Sequence, residues 1–344
     1  MRTYALKLLL LSVFTAVLPA YVAAEEATSG YQLGRGYALG ETGIRLGGYA
    51  STQISVPRRS SWSYELSDLS LFLTWDNGGR LHFFSELEAG DLLSANQQHS
   101  LGVQNVHFEF ERCYLDTLVN NHVTLRLGKF LTPIGQWNVI HAAPLVWTSA
   151  RPVATDNLFS THATGLMLHG SATLNQQLLE YSLFGDVTEH LDSHRSDTPF
   201  ENAAGLHLRY FVSDKLQLGM SYANFVLNDF QPKRHHLAGL DLTASYQGYE
   251  LSSEMLYRSG KQGYGQTAWQ GFVQGVAPVY NKQWFVVARY EFFQQAQDGL
   301  GQTGLLGMAY RPLPPLIWKL DYRLGTNNAN LAADGFSTSI AILF

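Results

Sequence analysis

The chain has 344 residues, of which 46% are hydrophobic, 13% aromatic and only 15% charged, where ordinary soluble domains carry about 25% charged residues. Its 18 Tyr, 19 Phe and 7 Trp exclude disorder, and the single Cys113 excludes a disulfide scaffold. Outside the N-terminus no uncharged apolar run approaches the roughly 18 residues of a spanning helix. Apolar residues spread thinly among polar ones are what a β-barrel in lipid requires, because every second residue faces hydrocarbon.

The N-terminus opens with Met1, Arg2 and Lys7, continues through an apolar stretch from Leu8 to Leu18, and reaches Val22-Ala23-Ala24 before Glu25-Glu26. A basic start, a short apolar run and a small-residue cleavage site predict a secretory signal peptide over residues 1–24. Its removal takes away Arg2 and Lys7, leaving 21 basic against 28 acidic residues, a net charge of −7. That balance argues against nucleic acid as a partner, since no basic face neutralises phosphates. The Gly-rich segment 25–41 reads as a periplasmic N-terminal tail.

From residue 42 to 344 the chain is a series of period-two strand signals. They fall near 42–56, 62–75, 79–90, 103–116, 121–131, 163–174, 177–188, 202–213, 215–227, 236–246, 249–259, 267–277, 283–293, 303–312, 315–325 and 335–344. Leu316, Trp318, Leu320, Tyr322 and Leu324, for example, alternate with Ile317, Lys319, Asp321 and Arg323. A soluble sandwich also alternates, but here the polar face carries neighbouring Arg, Glu and Asp while the apolar face ends in Tyr and Trp, as interfacial girdles do. The connections alternate too. Asp76-Asn77-Gly78-Gly79, Asn175-Gln176, Gln247-Gly248 and Leu313-Pro314 are tight, whereas residues 90–102, 132–162, 188–201 and 325–334 are long. The prediction is an all-β fold, a transmembrane antiparallel β-barrel of about 16 strands with short periplasmic turns and long extracellular loops. The last strand ends on Phe344, which resembles the terminal aromatic of barrels assembled in the bacterial outer membrane.

The longest connection, 132–162, follows Arg126-Leu127-Gly128-Lys129-Phe130 and opens with Thr132-Pro133-Ile134-Gly135-Gln136-Trp137. With the preceding Glu111-Arg112-Cys113-Tyr114-Leu115-Asp116, this run resembles the phosphate-selective porin O and P family and its looser porin relatives. The resemblance implies a third extracellular loop folded into the lumen as the channel's constriction. Composition agrees, because Trp137, Ile140, Pro144, Leu145, Val146, Trp147 and Phe159 are poorly suited to water, and long structureless loops in compact folds are usually functional.

Selectivity then rests on charges that alternation turns inward. The expected pore-lining or constriction residues are Arg45, Glu86, Glu88, Glu109, Glu111, Arg126, Lys129, His141, Trp147, Arg151, Arg209, Arg289, Asp321 and Arg323. Acids outnumber bases on the inward faces, with Glu180, Asp186, Asp241, Glu250, Glu254 and Glu291 against Arg258 and Lys319 besides. The row of cations expected of a phosphate channel is absent, and Glu86, Glu88, Glu109 and Glu111 predict a lumen that is mildly cation-preferring or nearly unselective. Unbroken alternation faces Arg112 to lipid; a bulge near Glu111 would turn one carboxylate out.

Other motifs carry little. His235-His236, and His190 with His194, have no Cys or acidic partner at ligand spacing, so no metal site is expected, nor any cofactor. Cys113 reads as a small packing residue. No Gly-x-Ser-x-Gly and no nucleotide or haem motif occurs, and no catalytic residue is expected. The function predicted is passive diffusion of small polar solutes or ions through an outer membrane whose lipid surrounds the barrel, with association as a homotrimer left open. The competing readings are an anion- or phosphate-selective channel, and a ligand-binding or partner-filled barrel serving chelated-metal uptake or a trans-membrane conduit. A stiff inward loop favours diffusion, and the absence of a plug domain before residue 42 disfavours energised transport.

Overall fold

The computed structural model describes residues 30–103, 106–155, 158–186, 198–228, 233–260, 268–295, 299–329 and 331–344. The expected signal peptide and the pair His190 and His194 lie outside the described residues. Sixteen long strands run through the rest: β1 Ile44–Pro57, β2 Ser63–Asp76, β3 Leu81–Asn96, β4 His107–Leu118, β5 Val123–Leu131, β6 His162–Leu174, β7 Gln177–Asp186, β8 Phe200–Ser213, β9 Leu216–Leu227, β10 Arg234–Tyr246, β11 Tyr249–Gly260, β12 Ala268–Tyr280, β13 Trp284–Gln295, β14 Gly299–Leu313, β15 Leu316–Thr326 and β16 Gly335–Leu343. Each pairs antiparallel with the next, and β16 pairs with β1, Ile340 opposite Thr52, so the sheet closes and keeps no free edge.

The short connections carry the conformations that tight hairpins need. Asn175 and Gln176 have φ of 49° and 67°, and Gln247 and Gly248 have 51° and 87°, the left-handed pairs whose twist matches the flanking strands. Several strands exceed their predicted lengths, β3 and β14 most. β3 continues to Asn96 because Asp91, at φ 53°, sits in a bulge between the Asp68–Gly90 and Leu66–Leu93 pairs, and that bulge breaks the period that sequence reading relies on.

The outward faces are apolar, with Phe108, Leu240 and Leu306 all more than 60% exposed. Trp284 stacks on Tyr310 at 4.3 Å and meets Trp318 edge-on at 6.4 Å, an aromatic cluster beside the short turns. The inward faces are not uniformly polar. Phe225, Leu237, Leu256, Phe272, Leu305 and Ile317 all point in and are fully buried, because the long segment between β5 and β6 covers them. The tail residues also have structure: Tyr31–Gln32 and Gly36–Ala38 form a small hairpin, and Tyr37 and Ala38 pair with Leu46 and Arg45 at the start of β1.

Candidate functional site

The β5–β6 segment lies inside the barrel over its described residues, 132–155 and 158–161. Its course begins at the Pro133-Ile134-Gly135 turn, where Gly135 has φ 63° and a Cβ would run into the Glu254 carboxyl group. Gly135 N donates to Ser221 Oγ at 2.9 Å, and Gln136 N and Trp137 N donate to Glu254 Oε2 at 3.2 and 3.3 Å. The Gln136 side chain bonds the Leu242 carbonyl and Thr243. Trp137 packs edge-on against Phe272 at 5.6 Å. Ile134, Trp137, Val146, Leu158 and Phe159 join one apolar cluster with Phe225, Leu237, Leu256 and Phe272 of the wall, and burying each such side chain contributes about 1.5–3 kcal/mol.

The segment then descends to the short-turn end of the lumen. Lys319 Nζ donates to the Ala143 carbonyl at 3.0 Å and Arg311 Nη2 to the Pro144 carbonyl at 3.1 Å. Trp147 donates its Nε1 to Glu250 at 2.7 Å, packs on Phe285 at 4.5 Å and lies under the Arg311 guanidinium. On the return, Ser149 N donates to Asp321 at 2.5 Å and Val153 N to Glu291 at 2.7 Å. Arg289 is buried, paired with Glu291 at 2.8 Å, and donates to Thr148 Oγ1 and the Ala150 carbonyl. Much of the charge on β11 to β15 therefore holds the segment by its backbone.

The opposite wall carries the other charges. In β4 the register passes from Arg112 opposite Glu86 to Phe110 opposite Leu87, so Glu111 is a bulge residue. Phe108 and Phe110 face outward, Glu109 and Glu111 remain inside, and the extra residue turns Arg112 inward as well, where its Nε donates to Glu86 Oε2 at 2.6 Å. The expectation that Arg112 faces lipid is corrected on that ground, and no carboxylate turns out. Arg126 makes a two-pronged pair with Asp116 at 2.7 and 2.8 Å and covers the Tyr114 ring at 3.6 Å. Lys129 stands 3.6 Å from Glu109, and Arg209 is 3.4 Å from Glu180. His207 meets Asp241 at 3.0 Å.

A third group gathers where the descending segment touches β1 to β4. His141 Nε2 lies 3.6 Å from Glu88 and 3.5 Å from Glu111, and His162 Nε2 lies 2.7 Å from Glu111. Tyr49 and Ser70 both donate to Glu88 Oε2, at 3.1 and 2.9 Å. Burial works against the charge of His141, but the neighbouring carboxylates of Glu88 and Glu111 hold its pKa above the ordinary 6.5. Glu86, Glu88 and His141 are the described residues whose donor atoms approach as a metal would require.

Of the sequence-derived residues, Glu86, Glu88, Glu111 and His141 thus come together; Trp147, Arg289 and Asp321 hold the segment; Arg126, Lys129 and Arg209 stand on the β5 to β8 side. Arg151 bonds the His141 carbonyl at 3.5 Å. Arg323 is half-buried on the inward face of β15, nearer the long loops. Arg45 is spent elsewhere, donating to the Gly30 and Gly36 carbonyls of the N-terminal hairpin. Sequence reasoning missed Arg112, Tyr49, His162, His207 and the anchoring amides of Gln136 and Trp137. Only the Pro-x-Gly turn hinted at the last of these. A cavity of about 240 Å³ remains below Pro133 and Val139, lined by Arg112, Arg126, His169, Glu180, His207 and Arg209.

No protein-family model and no curated protein matches the sequence. Solved structures do resemble it in fold. The in-vitro folded OmpT of Vibrio cholerae in trimer form is 10% identical at TM-score 0.61, over 88% of this chain and 99% of that one. An anion-selective porin from Comamonas acidovorans is 14% identical at TM-score 0.59, over 87% and 98%. The outer membrane channel DcaP of Acinetobacter baumannii is 11% identical at TM-score 0.58, over 90% and 100%.

Proposed function

We propose that the chain is an outer-membrane porin through which small polar solutes diffuse passively, past a constriction made by residues 132–161. The observation that carries this reading is the reversed amphipathicity of a closed barrel: Phe108, Leu240 and Leu306 face out while ion pairs face in. Lipid satisfies such an exterior and water such an interior. A lumen occupied by its own loop leaves no room for a protein partner, which disfavours the conduit alternative. Association as a homotrimer belongs to the same proposal, supported by the trimer form among the similar structures.

The solutes we assign are small anions, weakly preferred. The four carboxylates that suggested cation preference each lie beside a cationic or imidazole side chain: Glu86 by Arg112, Glu109 by Lys129, and Glu88 and Glu111 by His141, with His162 also on Glu111. In two of the pairs at the cavity, Arg112 with Glu86 and His207 with Asp241, the carboxylate lies deeper than its partner, whereas in the third, Arg209 with Glu180, the carboxylate is the more exposed. The Glu86 side chain is 0% exposed and Arg112 is 20%; the Asp241 side chain is 4% exposed and lies behind His207 at 7%. The first two pairs present the positive end of a dipole to the passage, and the cavity is lined by Arg112, Arg126 and Arg209 with Glu180 as the acid among its lining residues, while Asp116 pairs with Arg126 from beside it. Paired guanidiniums bias entry but do not replace the hydration shell of phosphate, so the phosphate filter implied by the porin O and P resemblance is not part of this reading. The likeness to an anion-selective porin supports the sign.

The test is single-channel recording in planar bilayers under a salt gradient. The expected outcome is discrete conductance with a reversal potential on the anion side, moving toward cations when Arg112, Arg126 and Arg209 are replaced together by Gln. A folded, inserted barrel that conducts nothing refutes the channel, and a wild-type preference for cations refutes the assignment of solute.

A further inference from the structure

We infer that Glu86 and Glu88 of β3 and His141 of the inward loop form a binding site for one divalent transition-metal cation, which clamps the loop to the wall. The inference is independent of what crosses the channel. Three observations carry it. The three side chains bring their donor atoms within 4.8 Å of one another. His141 Nε2 stands 3.6 Å from Glu88 Oε2, the oxygen that Tyr49 and Ser70 also reach, too long for a good hydrogen bond but close to the separation of about 3.4 Å that two donors have when each sits about 2.1 Å from one tetrahedral ion. Glu86 is completely buried, and while its Oε2 accepts from Arg112, its Oε1 has no hydrogen-bond partner among the described residues. A buried carboxylate oxygen left in that state is costly unless something cationic meets it.

Charge favours a cation. The carboxylates facing the group are Asp68 on β2, Glu86 and Glu88 on β3 and Glu111 on β4; the guanidiniums are Arg112 on β4 and Arg151 of the loop. Glu109 is matched separately by Lys129. Lys319 also faces Asp68, so with the His141 imidazole neutral, as a metal ligand must be, the four carboxylates still outnumber the three cationic side chains, and a bound cation offsets that excess. The donor set gives the class. Two carboxylates with one imidazole suit zinc and its neighbours, whereas calcium and magnesium prefer oxygen alone. Tyr49 and Ser70 hold Glu88 in place through Oε2, and Arg112 fixes Glu86, so the wall ligands are oriented before the loop arrives.

The consequence is mechanical. His141 lies on the loop and the carboxylates on the barrel wall, so the bound ion ties one to the other. It also removes the excess negative charge next to Arg112 and strengthens the anion bias of the adjacent cavity.

Zinc titration of the full-length folded barrel in detergent, followed by calorimetry and checked by zinc K-edge absorption, tests the site. The expected result is one saturable zinc per barrel with nitrogen and oxygen neighbours, at least tenfold weaker in Glu88→Gln and in His141→Asn. Affinity should be unchanged in His236→Ala, whose imidazole is on the outer face beside Tyr222, and in a His190→Ala, His194→Ala double variant. His141→Asn alters only the loop and keeps the test valid if Glu88→Gln fails to fold. No stoichiometric zinc on the wild-type barrel, full affinity in His141→Asn, equal binding of calcium, or loss of binding in either histidine control overturns the inference.

Discussion

Replacing Glu254 by Ala removes the acceptor that receives the inward loop at its first turn. Gln136 N and Trp137 N both end on Glu254 Oε2, and the surroundings are dry, with Glu254 1% exposed. Each buried amide left without a partner costs about 1–3 kcal/mol, so the two together weaken the docked loop by about 2–6 kcal/mol. Because every 1.4 kcal/mol is about tenfold in an equilibrium, the undocked population rises at least about 25-fold. Trp137 and Ile134 stay attracted to Phe272 and Leu256, so the loop should leave in transient excursions, seen in planar bilayers as flicker to a larger conductance. Glu254→Gln keeps one carbonyl oxygen for the same amides and should flicker far less. The comparison is made on protein whose heat-modifiable migration in detergent gels matches the wild type. If Glu254→Ala records with wild-type conductance and noise, the turn is not what holds the loop, and the reasoning from buried amides is wrong.

Two more outcomes follow from the same contacts. Deleting residues 139–148 removes His141, the carbonyls that hold Lys319 and Arg311, and Trp147; conductance should rise severalfold, and an unchanged value in a folded barrel would place the constriction elsewhere. Arg289→Met leaves Glu291 buried with one partner fewer and frees Thr148 and the Ala150 carbonyl. Losing one member of such a buried pair costs about 3–5 kcal/mol, measured as a lower urea midpoint for unfolding from detergent or lipid, with Lys282→Met, on a short turn, as a control that should not move it.

The candidate site was legible only in part. Composition and alternation identify Arg289, Asp321 and Glu291 as inward, since parity along one strand needs no knowledge of its neighbours. Parity cannot say what those side chains face. Arg289 is expected from parity to line the pore or its constriction, but parity does not give its bonds to Thr148 and Ala150 of the loop. Arg112 shows the other limit. One extra residue at Glu111 reverses the face of everything after it, and a bulge leaves no mark on composition.

What the sequence by itself determined is the closed barrel, its sixteen strands and the place of the long third extracellular loop, because period-two patterning and turn residues act over a few neighbours and a lipid exterior forces them to be explicit. Only the tertiary structure decided the rest. His141 and Glu88 are 53 positions apart and meet because the loop descends through a closed lumen. Ser149 meets Asp321 across 172 positions. Such meetings depend on the path of the loop through the lumen, on the bulge in β4 and on the apolar patch under Trp137 and Phe159, none of which any local stretch of residues encodes.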